Sequence, residues 1–256
     1  MRELLTVGGF SRYGAIEYTD AQAYSCQVDE VVGVIDGLID GGQAAEAAAA
    51  MYAAELLPGG YTHLMIAREL DQAGRVGEAL EWVERGLREA SGSVDTRLVD
   101  YLAVRYEGAG AFGKALAARQ SAFDTGRTLA IYRALRDAAG KAGQWEAVRE
   151  RALRLLQGDA AAAHSRAGFG WSEGPVWISA LIDDGDIAAA WDAAAGVASE
   201  RQWLTLADLL NSDRPADALP VYLRAVEPLR SLTGDSVYHQ VAALLTKIRG
   251  CHLWGF

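Results

Sequence analysis

Proline is scarce, with five in 256 residues. Each proline removes a backbone donor and clashes with the turn before it, so this scarcity leaves room for long uninterrupted helices. Cysteine is scarcer still: Cys26 and Cys251, near opposite ends of the chain. Neither sits in a C-x-x-C pair, so metal and dithiol chemistry lack a starting ligand set, and both are read as reduced thiols. Positive charge is in deficit, at 24 Lys and Arg against 34 Asp and Glu, a net −10. That balance disfavours bulk nucleic-acid binding and anionic membrane surfaces, both of which need cations. No apolar run approaches the roughly 18 residues that span a bilayer, and the start at Met1 has too short an apolar stretch for a secretory signal. A cytoplasmic location is the expectation. The phosphate loop G-x-x-x-x-G-K-[ST] is missing. No run of alternating apolar and polar residues is bounded by hairpin turns, so strands are not expected.

What is present is a repeat. The chain is 51% hydrophobic and 23% charged, ordinary for a globular protein, and rich in alanine, the best helix former. Leu70-Asp71-Gln72-Ala73-Gly74-Arg75-Val76-Gly77-Glu78-Ala79 reads as helix end, glycine turn, helix start. It recurs around Gly110 and Gly143, more faintly around Gly42 and Gly185, and with Asp213 in place of glycine. The turn positions 42, 74, 110, 143, 185 and 213 are spaced by 32, 36, 33, 42 and 28 residues. Their average, about 34, is the period of tetratricopeptide (TPR) helix pairs. Five residues after each turn stand Ala47, Ala79, Ala115, Val148, Ala190 and Ala218, small side chains where two helices must pass closely. Within helices, Leu80, Val83 and Leu87, or Val148, Ala152 and Leu155, keep three-four spacing. The expected fold is all-α: a right-handed α-solenoid of about six TPR-like helix pairs.

Composition shifts place a lead-in at 1–24, first repeats at 25–157, a long connector at 158–175 and last repeats at 176–256, the final repeat being incomplete. Within the connector, Gly168-Phe169-Gly170-Trp171 reads as a loop anchored by buried aromatics or as a binding loop. The helix from Val237 to Ile248 opens a repeat without its second half. Its apolar face is expected either to take Trp254 and Phe256 as a cap or to pair with another copy.

The segment Gly8-Gly9-Phe10-Ser11-Arg12-Tyr13, followed by Tyr24 and Val28-Asp29-Glu30-Val31-Val32, resembles the region after the zinc motif in actinobacterial SWIM zinc-finger proteins. Asp217-Ala218-Leu219-Pro220-Val221-Tyr222 resembles their helical C-terminal part. The family's C-x-C…C-x-H zinc ligands have no counterpart in this sequence, so no metal site is carried over. The resemblance implies either a helical fragment of a longer zinc-finger protein or a natural relative lacking the finger. Because genes of that family often neighbour AAA-type ATPases and von Willebrand A-type proteins, it also implies a place in a multi-protein, ATPase-containing assembly.

The chemistry-bearing residues have plainer structural readings. His63 and His239 fall on predicted helices, where a packed or capping histidine is the plainer reading, and the adjacent Cys251-His252 cannot chelate alone. Asp183, Asp184 and Asp186 form a carboxylate cluster, read as a solvated helix end. Trp145, Trp177, Trp191 and Trp203 sit at repeat positions and read as core. Neither catalytic residues nor a cofactor are expected. One departure is the tract 114–166, with ten basic residues against five acidic ones, read as a solvated, ion-paired face or as a binding patch. The expected function is a non-catalytic protein–protein scaffold, with the first helix of each pair lining a concave face. Counting back from the turns puts Arg68, Arg97, Asp100, Arg133, Asp137 and Lys141 on that face, with Trp203 further along. An acidic partner protein would suit them. The alternatives are a nucleic-acid accessory module using 114–166 and, less favoured, an enzyme.

Overall fold

A computed structural model of the chain describes residues 41–54, 56, 60–89, 95–164 and 174–254. Among these there are twelve α-helices, one 3-10 turn and no strand. The protein is all-α, built of helix–turn–helix repeats, and divides into two compact units at Gly126/Arg127. Unit 1 holds α1 (Gly41–Ala54), α2 (Tyr61–Gln72), α3 (Val76–Glu89), α4 (Thr96–Gly108) and α5 (Phe112–Thr125). Unit 2 holds α6 (Leu129–Lys141), α7 (Trp145–His164), α8 (Val176–Asp183), α9 (Ile187–Ala193), α10 (Glu200–Leu210), α11 (Pro215–Val226) and α12 (Asp235–Trp254).

The glycine turns form because a left-handed residue closes each first helix. Gly74, Gly110, Gly143 and Gly185 have φ of 77°, 71°, 67° and 78°. At the first, Gly74 N–H donates to the Asp71 carbonyl at 2.9 Å and Arg75 N–H to the Leu70 carbonyl at 2.8 Å. This pair of bonds is a Schellman motif, which satisfies carbonyls that the helix end would otherwise orphan. The same pair recurs at Gly110, Gly143 and Gly185. Asp213 cannot follow, since no non-glycine residue among those described has positive φ. There Arg214 N–H reaches the Leu210 carbonyl at 2.7 Å instead, and Pro215 opens α11 at a position where its missing donor costs nothing. The small residue five places on donates the first intrahelical bond of its helix, as Ala79 N–H does to the Arg75 carbonyl. Ala79, Ala115, Ala190 and Ala218 are all fully buried at that point.

Among the described residues the expected pairs are thus α2/α3, α4/α5, α6/α7, α8/α9 and α10/α11. Within each unit, consecutive helices pack on one another, and first helices also touch first helices: α2 with α4, α6 with α8, α8 with α10. Unit 1 is sealed by Tyr52, Leu64, Ile66, Leu70, Val83, Leu98 and Leu102, each fully buried aliphatic side chain adding about 1.5–3 kcal/mol. Its helices approach closely enough to exclude a side chain. A Cβ on Gly86 of α3 would sit 2.7 Å from His63 Cβ on α2. Apolar clusters in unit 2 include one around Ile178, Leu181, Ala190 and Leu206 and another around Ala218, Val221, Tyr222 and Leu244.

Two expectations are corrected. Gly42 is no turn: α1 already includes Gly41 and Gly42, and the buried residues are Ala48 and Tyr52, not Ala47. The alanine run that follows favours helix enough to absorb both glycines. The connector does not begin at Gly158, because α7 continues to His164. An exposed helical glycine costs only about 1 kcal/mol, and alanines 160–163 offset it. The division between compact units falls at the extended Gly126, φ −149°, not at that connector. The lead-in 1–24, Cys26, the 168–171 loop and Phe256 lie outside the described residues, as does the side chain of Trp254.

Candidate functional site

The three acidic residues at the end of α8 are not a solvated helix end. Arg133 Nε donates to Asp183 Oδ1 at 2.8 Å, and Arg136 Nη1 lies 2.8 Å from Asp183 Oδ2 and 3.2 Å from Asp184 Oδ1. Arg149 Nε donates to Asp184 Oδ2 at 2.7 Å and its Nη2 to Asp186 Oδ2 at 3.2 Å. Tyr132 Oη donates to Asp184 Oδ2 at 2.6 Å. The Asp184 side chain is only 4% exposed, so a carboxylate there needs this many partners to offset its lost hydration. The hydrogen bond from Arg133 holds the Asp183 carboxyl below its ordinary range. Burial, then the bond to Asp184, pushes the Tyr132 hydroxyl well up. Asp186 also caps α9, accepting from Ala189 N–H. Guanidinium groups therefore fill the space between these carboxylates. Among the described residues, no three His, Cys, Asp or Glu side chains converge as a metal-holding group. A cleft of about 470 Å³ beside this network is lined by Arg136, Trp145, Arg149 and Asp184, and its charges answer one another.

On the first-helix face of unit 2 lies a groove of about 520 Å³, lined by α6, α8 and α10. α6 contributes Leu129 and Arg133, with Thr128 at its N-cap; α8 contributes Val176, Ser179, Ile182 and Asp183; α10 contributes Arg201, Gln202 and Thr205. Its apolar floor comes from Leu129, Val176 and Ile182, and its rim is polar. Buried Gln202 fixes the walls. Its Nε2 donates to the Pro175 carbonyl and to Ser179 Oγ, both at 2.8 Å, while its Oε1 accepts from Ser199 N–H at 3.1 Å. The Ser199–Gln202 capping box thus starts α10 and ties it to α8. Gly174, φ 75°, passes so near Gln202 that a Cβ there would collide with its amide.

Only one of the residues expected on a concave binding face, Arg133, lines this groove. Arg68 is exposed on α2 and Arg97 on α4; Arg97 forks onto Asp95 and lies 5.3 Å from the Tyr61 ring centre. Asp100 pairs with Arg119 within unit 1. Asp137 and Lys141 pair with each other one turn apart at 2.7 Å, toward the far end of α6. Trp203 is half-buried, edge-on to Trp191 at 5.0 Å and beneath Arg224 at 5.5 Å, so it packs. The other expected core tryptophans are half-buried too, Trp145 standing edge-on to Tyr132. His63 is packed as expected, whereas His239 is exposed on α12.

The basic tract is largely neutralised. Among the described residues of the tract, ion pairs hold Arg119, Arg127, Arg133, Arg136, Lys141, Arg149 and Arg154. Arg119, Arg133, Arg136 and Arg149 draw on Asp100, Asp183, Asp184 and Asp186, which lie outside the tract, so counting charge along 114–166 overstates the field. Among the described residues no helix is long and apolar enough to cross a membrane.

No family model and no curated protein matches the sequence. The chain is similar to a human chain solved as "Human IFIT1 dimer with PPP-AAAA", at 15% identity and a TM-score of 0.31, over 88% of this chain. It spans 55% of that chain's length.

Proposed function

We propose that the protein is a non-catalytic binding module whose unit 2 groove receives an extended segment of a partner protein. The observation that carries this reading is the groove itself: an apolar floor with a polar rim, walled by the first helices of three successive pairs and stiffened by Gln202. An extended chain alternates its side chains, so one row can seat on Leu129, Val176 and Ile182 while the other faces water. The ion-paired state of tract 114–166 weighs against the nucleic-acid alternative, since cations already matched to carboxylates release few counterions. Within the multi-protein assembly implied by the SWIM-type resemblance, such a module supplies docking and not chemistry.

The test is selection of a random-dodecapeptide phage library on the immobilised protein, followed by binding of the enriched peptides to two variants. Thr205→Trp fills the groove from an exposed position and abolishes binding. Gln157→Trp, on the outer face of α7, leaves it intact. Enriched peptides indifferent to Thr205→Trp contradict the reading, as does failure to enrich any peptide alongside retention of labelled single-stranded RNA.

A further inference from the structure

The groove has a charge bias that a peptide must answer. Its lining contains one carboxylate, Asp183, and two guanidiniums, Arg133 and Arg201. Asp183 is already held by Arg133 from one side and by Arg136 from another. Arg201 is different. It is exposed at the start of α10 and makes no ion pair among the described residues. Its own carbonyl accepts from Thr205 Oγ1 at 2.9 Å, so both residues share one helix face at the groove. In a chain of net charge −10, this groove is locally cationic, with one uncommitted guanidinium over an apolar floor.

Building on the reading of the groove as a peptide site, we infer that its occupant is an extended acidic segment in which an Asp or Glu carboxylate is taken by Arg201. An apolar side chain next in the same row would seat on Leu129, Val176 and Ile182. A planar guanidinium grips a carboxylate with two parallel hydrogen bonds, which sets the register of the peptide as well as its affinity. Arg133 is already engaged, with two of its donors on Asp183. Lys141 is too far along α6 and already paired with Asp137. A single open guanidinium suits one side-chain carboxylate, whereas a nucleic-acid backbone requires a row of such cations.

The experiment uses the full chain and the peptides enriched from the library. Enriched peptides carry Asp or Glu beside an apolar residue. Arg201→Ala weakens them about tenfold, as expected for losing a hydrogen bond to a charged group. Arg201→Lys recovers part of that loss, and Arg154→Ala, at an exposed position on α7, changes nothing. Changing the peptide's acid to its amide weakens binding equally to the intact protein and not at all further to Arg201→Ala, the signature of one shared contact. Peptides that bind in the groove, are displaced by Thr205→Trp, and yet show no acid preference and no response to Arg201→Ala overturn this inference while leaving the groove reading standing. Peptides indifferent to Thr205→Trp overturn both.

Discussion

In unit 1 the pair α2/α3 closes by shape: Gly86 lies against His63, and Leu64, Ile66 and Val83 fill the seam. In unit 2 the pair α6/α7 is joined to α8 and α9 by charge, with Arg133, Arg136 and Arg149 on Asp183, Asp184 and Asp186. The repeat frame is the same in both, down to the Schellman turns at Gly74 and Gly143. What differs is what each interface resists. A shape-closed seam tolerates changes of charge at its margin and not of volume at its centre. An ion-pair network tolerates changes of volume around it and not removal of one partner. The contrast fits the placement of the groove, which shares Arg133 and Asp183 with that network.

The largest effect belongs to the network. Asp184→Ala leaves the Tyr132 hydroxyl without its acceptor, takes from Arg136 and Arg149 one of the two carboxylates each holds, and is expected to cost about 3 kcal/mol. Urea denaturation followed by hydrogen exchange should localise the loss to α6–α9; a change below about 1 kcal/mol would reduce the network to ordinary surface pairing. Next comes volume in unit 1. Gly86→Val drives a side chain into His63 and should cost about 2–3 kcal/mol, while Ala79→Leu and Ala115→Leu should each cost roughly 1–3 kcal/mol by overpacking. Unchanged melting in all three would remove the close-packing argument. Turn chemistry is smaller. Gly74→Ala forces a Cβ into left-handed backbone at about 1 kcal/mol, whereas Asp213→Gly should gain nothing, because that turn has no left-handed residue to relieve.

The smallest effect is in pH. Burial is the main cause that lowers His63 below its usual value of 6.5. The unfolded chain therefore takes up that proton first, and unit 1 loses stability as pH falls below 6.5 toward the folded value. Asp183 is lowered from 3.8, chiefly by Arg133. Its contribution is complete above 3.8 and is lost only as pH falls below it. Exchange protection, corrected for the intrinsic rate at each pH, should accordingly fall between pH 7.5 and 5.5 in α2 and α3, and only below pH 3.8 in α6 and α8. His63→Leu should remove the first step, and simultaneous loosening of both units would contradict the assignment.

The repeat was legible in sequence because its signals are local. A left-handed turn selects glycine, and a close crossing selects alanine at a fixed offset, so Gly74, Gly110 and Gly143 with Ala79 and Ala115 mark the helix pairs directly. The fainter turn at Gly42 misled because strong alanine propensity on its C-terminal side carries the helix through it, and Gly158 misled in the same way. The candidate site was far less legible. Asp100, Arg133 and Lys141 look like free charges along the chain, yet their partners lie 19, 50 and 4 residues away. Only the folded arrangement shows which are spent. Among the described residues Arg201 has no such partner, and it carries no local mark either. The one available pointer was the Ser199-x-x-Gln202 capping box, which fixes the start of α10 and hence which residues lie along its first turns.

Hydrogen exchange of the full chain with and without a library-selected peptide tests the central claim most directly. The groove reading predicts slowed exchange in α6, α8 and α10, the first helices of three pairs, lost in Thr205→Trp, with α7, α9 and α11 unchanged. Protection centred on α7, α9 and α11, or protection that survives Thr205→Trp, would contradict it.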